Sequence, residues 1–119
     1  MGRVEGAMER IEKAVRGWEG VTVEPHRFGG REFRLGKREL GHIHGDSLVD
    51  IPFPLAVRNE LVEARKAEPH HIMPESGWIS FTIASESSVT EAIALLRRSY
   101  ELAARRVNRA VGHTEEKEN

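Results

Sequence analysis

Residues 38–53 read RELGHIHGDSLVDIPF. Two alternating runs, 38–44 and 48–53, flank Gly45-Asp46-Ser47, three residues with good turn chemistry. The stretch therefore reads as a β-hairpin. Side chains alternate between the two faces along a strand, so Ile43, Val49 and Ile51 form a core set. Leu40, His42, His44, Leu48 and Asp50 then share the opposite face. A three-residue loop at 45–47 sets His44 across from Leu48 and His42 across from Asp50. The hairpin thus predicts a sheet with one buried face, and two histidines beside a carboxylate on the other.

Working outward, Val4, Ala7, Met8, Ile11, Ala14, Val15 and Trp18 recur at helical spacing, with Gly17 and Gly20 closing the segment. Residues 21–24 and 31–35 read as strands, interrupted by Pro25 and Gly29-Gly30. After the hairpin, Leu55–Lys66 is helical with Pro54 at its start. Residues 67–77 (AEPHHIMPESG) read as a loop, and Trp78–Ala84 as a strand with Ile79, Phe81 and Ile83 inward. A last helix is expected from Ser88, taken as N-cap with Glu91 three residues on, to Val107. The order is α-β-β-β-β-α-β-α. That is the α+β class: an antiparallel sheet of about five strands with helices packed on one face, in two layers. The expected domain spans 1–109, followed by a polar, frayed tail over 110–119.

Composition sets the bounds. The chain has 119 residues, a single domain's length. Lys+Arg total 18 against 19 Asp+Glu, a formal net charge of −1, so no global positive field points to nucleic acid or membrane. There is no cysteine, which excludes disulfides, thiolate nucleophiles and cysteine–zinc sites. No apolar run approaches the ~20 residues that span a bilayer, and MGRVEGAMERIEK lacks a signal-peptide core. The expectation is a cytoplasmic protein. Arginine outnumbers lysine 14 to 4 and gathers in residues 26–38 and 97–109, but glutamates flank both stretches.

The histidines carry the functional signal. Five of the six lie between His26 and His71. On the outer sheet face, His42 and His44 stand at i, i+2, Asp50 faces His42, and Trp78 with Ser80 comes from the last strand. The segment bearing His70 and His71 leads into that strand and can close over the face, although adjacent residues of an extended chain point opposite ways, so one of the two is expected to join. Imidazole and carboxylate at this spacing suit a metal, with His42, His44 and Asp50 as ligands and His70 or His71 completing the set. They equally suit an acid–base pair in which Asp50 fixes the His42 tautomer, or a pocket for a small ligand. His26 and His113 read as surface residues. Neither a phosphate-binding glycine loop nor a nucleophile elbow is present in the sequence.

The runs GHIHGDSLVDIPFP, HHIMPESGWISF and LLRRSY together resemble a small bacterial family labelled luciferase domain, over roughly residues 20–105. The half ending in SGW and RRSY is also similar in outline to MmcQ/YjbR-like proteins, which are compact α+β domains. The first resemblance implies an α+β fold and a shared set of positions, His42, His44, Asp50, His70 or His71, Pro74 and Trp78. It implies no reaction. A flavin-dependent luciferase barrel takes ~250 residues, and no flavin fingerprint is present. Three readings follow: a small-ligand or divalent-metal site on the open face; an interaction module that self-associates through it as a homodimer; and, third, nucleic-acid binding through the arginines.

Overall fold

In a computed structural model the chain is described over residues 4–118, with only the backbone course at residue 28 and at 108–118. It runs α1 (Ala7–Arg16), β1 (Val21–His26), a 3-10 turn (Arg27–Gly29), β2 (Gly30–Leu35), β3 (Arg38–His44), β4 (Leu48–Pro52), α2 (Leu55–Glu63), β5 (Glu68–Pro69), β6 (Trp78–Thr82) and α3 (Glu86–Glu118). The strands form a single antiparallel sheet in the order β1-β2-β3-β4-β6-β5. The architecture is α+β, as expected. His113 and the tail over 110–119 fall where no side chain is described, and Asn119 lies outside the described residues.

The hairpin forms in the expected register, with His42 across from Asp50, Ile43 from Val49 and His44 from Leu48. Ile43, Val49, Ile51 and Ile79 are fully buried against Ile11 and Val15 of α1 and Val89 and Leu96 of α3. Burying each such side chain is worth ~1.5–3 kcal/mol, so this layer carries the fold. The turn also serves α1 directly. Asp46 Oδ2 and Oδ1 accept the backbone N–H groups of Gly6 and Met8 at 3.2 and 2.9 Å, satisfying donors that a helix start leaves free.

Several boundaries depart from the sequence reading; among them, α2 ends at Glu63 rather than Lys66, and α3 runs to Glu118 rather than Val107. The sheet has six strands rather than five, because Glu68–Pro69 pairs with Ser80 and Ile79 inside the expected loop. Two residues are too short to show a strand period. β1 continues through Pro25, which an edge strand tolerates because its outer side needs no donor. α3 begins at Glu86, two residues early. Ser85 rather than Ser88 caps it, its Oγ accepting the Ser88 N–H at 3.3 Å. β6 ends at Thr82 instead of Ala84.

One further departure affects the site. Leu40 was expected beside His42 on the open face, yet it is fully buried in the core. Phe33 pairs with Gly41 and Arg34 with Glu39, so Leu40 is the extra residue of a β-bulge. The bulge reverses the alternation upstream of Gly41. It sends Leu40 inward, where its carbonyl accepts the buried Ser99 Oγ at 2.9 Å. In the same step it turns Glu39 toward His42.

Candidate functional site

Away from the helices, one row of register partners crosses all six strands: Glu24, Glu32, His42, Asp50, Ser80 and Glu68. Asp50 sits at its centre and is 1% exposed. A buried carboxylate is costly unless it is paired and hydrogen-bonded, and Asp50 is both. Its Oδ1 accepts the Ser80 hydroxyl at 2.8 Å. Its Oδ2 faces four imidazoles. The Nε2 atoms of His42 and His44 lie 3.2 Å away, and those of His70 and His71 lie 3.5 Å away.

Both His70 and His71 therefore reach Asp50, where the sequence reading expected one. The chain is not extended there. His70 Nδ1 accepts the backbone N–H groups of Ile72 and Met73, each at 3.1 Å, and this turn stacks the two rings at 4.4 Å. His70 is buried and His71 is 48% exposed. Trp78 packs over the cluster, 5.3 Å from the His42 ring and 6.0 Å from the His70 ring. At the loop's end, Gly77 passes so close to Phe53 that a Cβ would meet its carbonyl oxygen at 2.0 Å. Only glycine lets the loop return onto β4 at that point.

His26 is a correction to the sequence reading. It is not a lone surface residue: its ring stacks on His42 at 4.1 Å and stands 5.3 Å from His44. As the last residue of β1 it pairs with Gly30 and shares the face of Glu24, beside the histidines of β3. Two glutamates also went unread. Glu32 Oε1 lies 3.1 Å from His26 Nδ1, and Glu39 Oε2 lies 2.6 Å from His42 Nδ1. A glycine inside a strand pattern, Gly41, was the available sign that alternation would break there and bring Glu39 across.

These contacts set the charges. Burial alone would lower the His42 pKa, but hydrogen bonds to Asp50 and Glu39 outweigh it and push the value up to about 9. Burial would raise Asp50, yet the hydrogen bonds from His42 and Ser80 hold it well below the usual carboxylate range. Burial and the neighbouring His42 cation lower His44. Burial, against the pull of Asp50, lowers His70. Glu32 is held below its ordinary value by Arg34 and His26 despite burial. The site thus gathers Asp50, Glu32 and Glu39 around one raised histidine, with Arg34 paired to Glu32 at its margin.

The donor atoms of His26, His42 and His44 all lie within 4.8 Å of one another, as do those of Asp50, His70 and His71. The arrangement can hold a cation, orient a proton on His42, or both. Elsewhere, in the arginine stretches, Arg31 pairs with Glu12, Arg34 with Glu32, Arg97 with Glu101 and Arg98 with Glu60. Among the described residues no helix is long and apolar enough to cross a membrane.

Compared with known proteins, residues 37–99, just over half the chain, match the family model described as Luciferase domain. The matched segment holds β3, β4, the His70–His71 loop and β6, and so every candidate residue except His26 and Glu32. No curated protein and no solved structure matches.

Proposed function

The chain belongs to the luciferase domain family, and from that premise we propose that it is a metal-binding protein whose open sheet face holds a divalent transition-metal ion. Asp50, His42, His44 and His71 are the ligands in this reading, and His26 stands beside them as a further imidazole. The observation that carries it is a set of distances. Four Nε2 atoms surround one carboxylate oxygen at 3.2–3.5 Å. Good N–H···O bonds run ~2.7–3.2 Å, so the contacts of His42 and His44 sit at the long end and those of His70 and His71 beyond it, and one oxygen cannot accept four such bonds well. Two donors bound at ~2.1 Å to a single tetrahedral ion lie ~3.4 Å apart, the spacing seen here.

Two further features support the reading. Glu39 and Glu32 each face a histidine Nδ1, on His42 and His26, so that Nε2 is the nitrogen left for an ion once its proton is displaced. Such carboxylate–imidazole pairs orient metal-binding histidines. The surrounding carboxylates also favour a cation over an anionic ligand. Nitrogen and oxygen donors without thiolate suit zinc, nickel, copper(II) or iron(II) better than calcium or magnesium.

Calorimetric titration of zinc and nickel into the wild type and into His42→Ala/His44→Ala at pH 7.5 tests the proposal. The expected result is saturable binding by the wild type that the double variant loses. Failure of the wild type to bind either ion, or equal binding by the double variant, overturns it. A competing reading, self-association, draws on the exposed Ile72 and Met73 next to His71. It predicts instead a dimer in sedimentation that Ile72→Asp dissociates, with no metal dependence.

A further inference from the structure

The candidate donors fall into two triplets, His26/His42/His44 and Asp50/His70/His71, each compact enough for an ion of its own. Two ions bridged by Asp50 would be the simple count. The hydrogen bonds of His70 argue against it.

A neutral imidazole carries one N–H, and its other nitrogen is the only one with a free lone pair. His70 Nδ1 accepts two backbone N–H groups, from Ile72 and Met73, at 3.1 Å each. Backbone amides cannot act as acceptors, so Nδ1 is the bare nitrogen. The proton is then on Nε2, the atom that faces Asp50 Oδ2 at 3.5 Å. A protonated Nε2 has no lone pair for a metal. His26 and His42 have the opposite polarity, with Nδ1 against a glutamate. His70 is also buried, locked into the loop turn by these same bonds.

We infer that His70 is not a ligand but a positioning residue, held as the Nε2–H tautomer by its own loop and aimed at Asp50, so that the face takes one ion rather than two. The inference rests on the metal reading for its second half. Without His70, the second triplet keeps one carboxylate and one exposed imidazole, too few donors for an ion of its own. Ser80 instead holds Asp50 by a hydrogen bond on Oδ1, while the Nε2–H of His70 faces Oδ2 at 3.5 Å, so the carboxylate has a partner on each side. The carboxylate is thereby fixed in place before the ion arrives.

Two substitutions separate the ring's two roles. Asn places an acceptor near the Nδ1 position and has no group that reaches Asp50. Gln places an N–H near the Nε2 position and gives up the turn acceptor. The experiment combines long-range 15N–1H NMR of the histidine rings, metal titration, and X-ray absorption at the zinc edge, on wild type, His70→Asn and His70→Gln. The expected NMR result is a bare Nδ1 and protonated Nε2 on His70, the same with and without zinc. One equivalent of zinc is expected in all three proteins, with an unchanged number of imidazole ligands. Affinity should fall about 10–100-fold in His70→Asn, the usual cost of losing a partner that orients a ligand, and recover in His70→Gln. A second zinc equivalent in the wild type, one imidazole fewer at the zinc edge in His70→Asn, or an Nδ1-protonated His70 overturns the inference. If the wild type takes up no zinc, the metal reading fails. The tautomer measured in the metal-free protein then decides the positioning role alone, Nε2–H supporting it and Nδ1–H overturning it.

Discussion

His42 and Asp50 are direct register partners across the β3–β4 hairpin, and their side chains meet at 3.2 Å between Nε2 and Oδ2. The pairing keeps a cation on His42 and an anion on the buried Asp50. Asp50→Asn is nearly isosteric but removes the charge. NMR titration of the variant should show the His42 pKa well below its wild-type value of about 9, and zinc binding should be lost. An unchanged His42 titration would show that Glu39 alone sustains the cation.

Glu39→Gln tests the other side of the same ring. Its carboxylate lies 2.6 Å from His42 Nδ1. The amide keeps the shape and loses the charge, so the fold should stand. Zinc affinity measured by calorimetry should fall about 10–100-fold, the ordinary effect of a partner that orients a ligand and raises its basicity. Affinity within about threefold of wild type would mean that Glu39 is a surface acid with no part in the site.

The hairpin register, the open face and the meeting of His42, His44, Asp50 and Trp78 were legible because a strand's period of two converts sequence parity directly into side. Glu39 and Leu40 were misread for the same reason. One bulge residue reverses parity, and the only local mark of it was Gly41. His26 was missed because the first strand is read as ending at residue 24, before Pro25; continued through the proline, the same parity sets His26 on the face of Glu24. His70 and His71 both join because a turn made by a side chain, His70 Nδ1 onto two amides, replaced the extended course expected for the pair. The family resemblance, drawn from the same runs of sequence, agrees with the match over residues 37–99.

The arginine stretches predict weak, indiscriminate contact with nucleic acid. Arg31, Arg34, Arg97 and Arg98 are each engaged by a glutamate. In gel shifts at ~150 mM salt, duplexes of different sequence should behave alike, since charge-only binding is screened there. Discrimination among duplexes would place a recognition surface on this chain.

Stability should depend on pH with opposite signs in the free and zinc-loaded protein. The folded pKa of His42, about 9, lies above the unfolded value of ~6.5. Its contribution is therefore fully present below ~6.5 and is lost as pH rises through about 9, with a ceiling on the order of 3 kcal/mol. His44 and His70 are lowered, so they act the other way, favouring the fold above ~6.5 and costing stability below it. The metal-free protein should be most stable near neutral pH and weaken toward pH 9. Zinc must displace the His42 proton, so its binding, and the stability it confers, should strengthen over that range. Urea unfolding at pH 6.5, 7.5 and 9 with and without zinc measures both slopes. Parallel slopes would mean that zinc does not compete with the His42 proton.

Gly41 joins the fold to the site, and its replacement should damage both. Its φ of +153° is one that residues with a side chain rarely adopt. A Cβ there would stand 2.8 Å from Leu96 Cδ2 and 3.0 Å from the Asp50 carbonyl oxygen. The leucine tip can shift, but the carbonyl belongs to the β4 backbone and cannot move without displacing Asp50. Backbone strain and overpacking together predict a loss of about 2–4 kcal/mol for Gly41→Ala in urea unfolding. The site should respond beyond that loss. If the strand escapes strain by giving up the bulge, parity upstream of Gly41 reverts and Glu39 swings away from His42. His42 would then lose one of its two carboxylates, and its pKa should fall even in the fraction that remains folded. A Gly41→Ala protein with wild-type stability and an unshifted His42 would show that the bulge does not depend on this glycine.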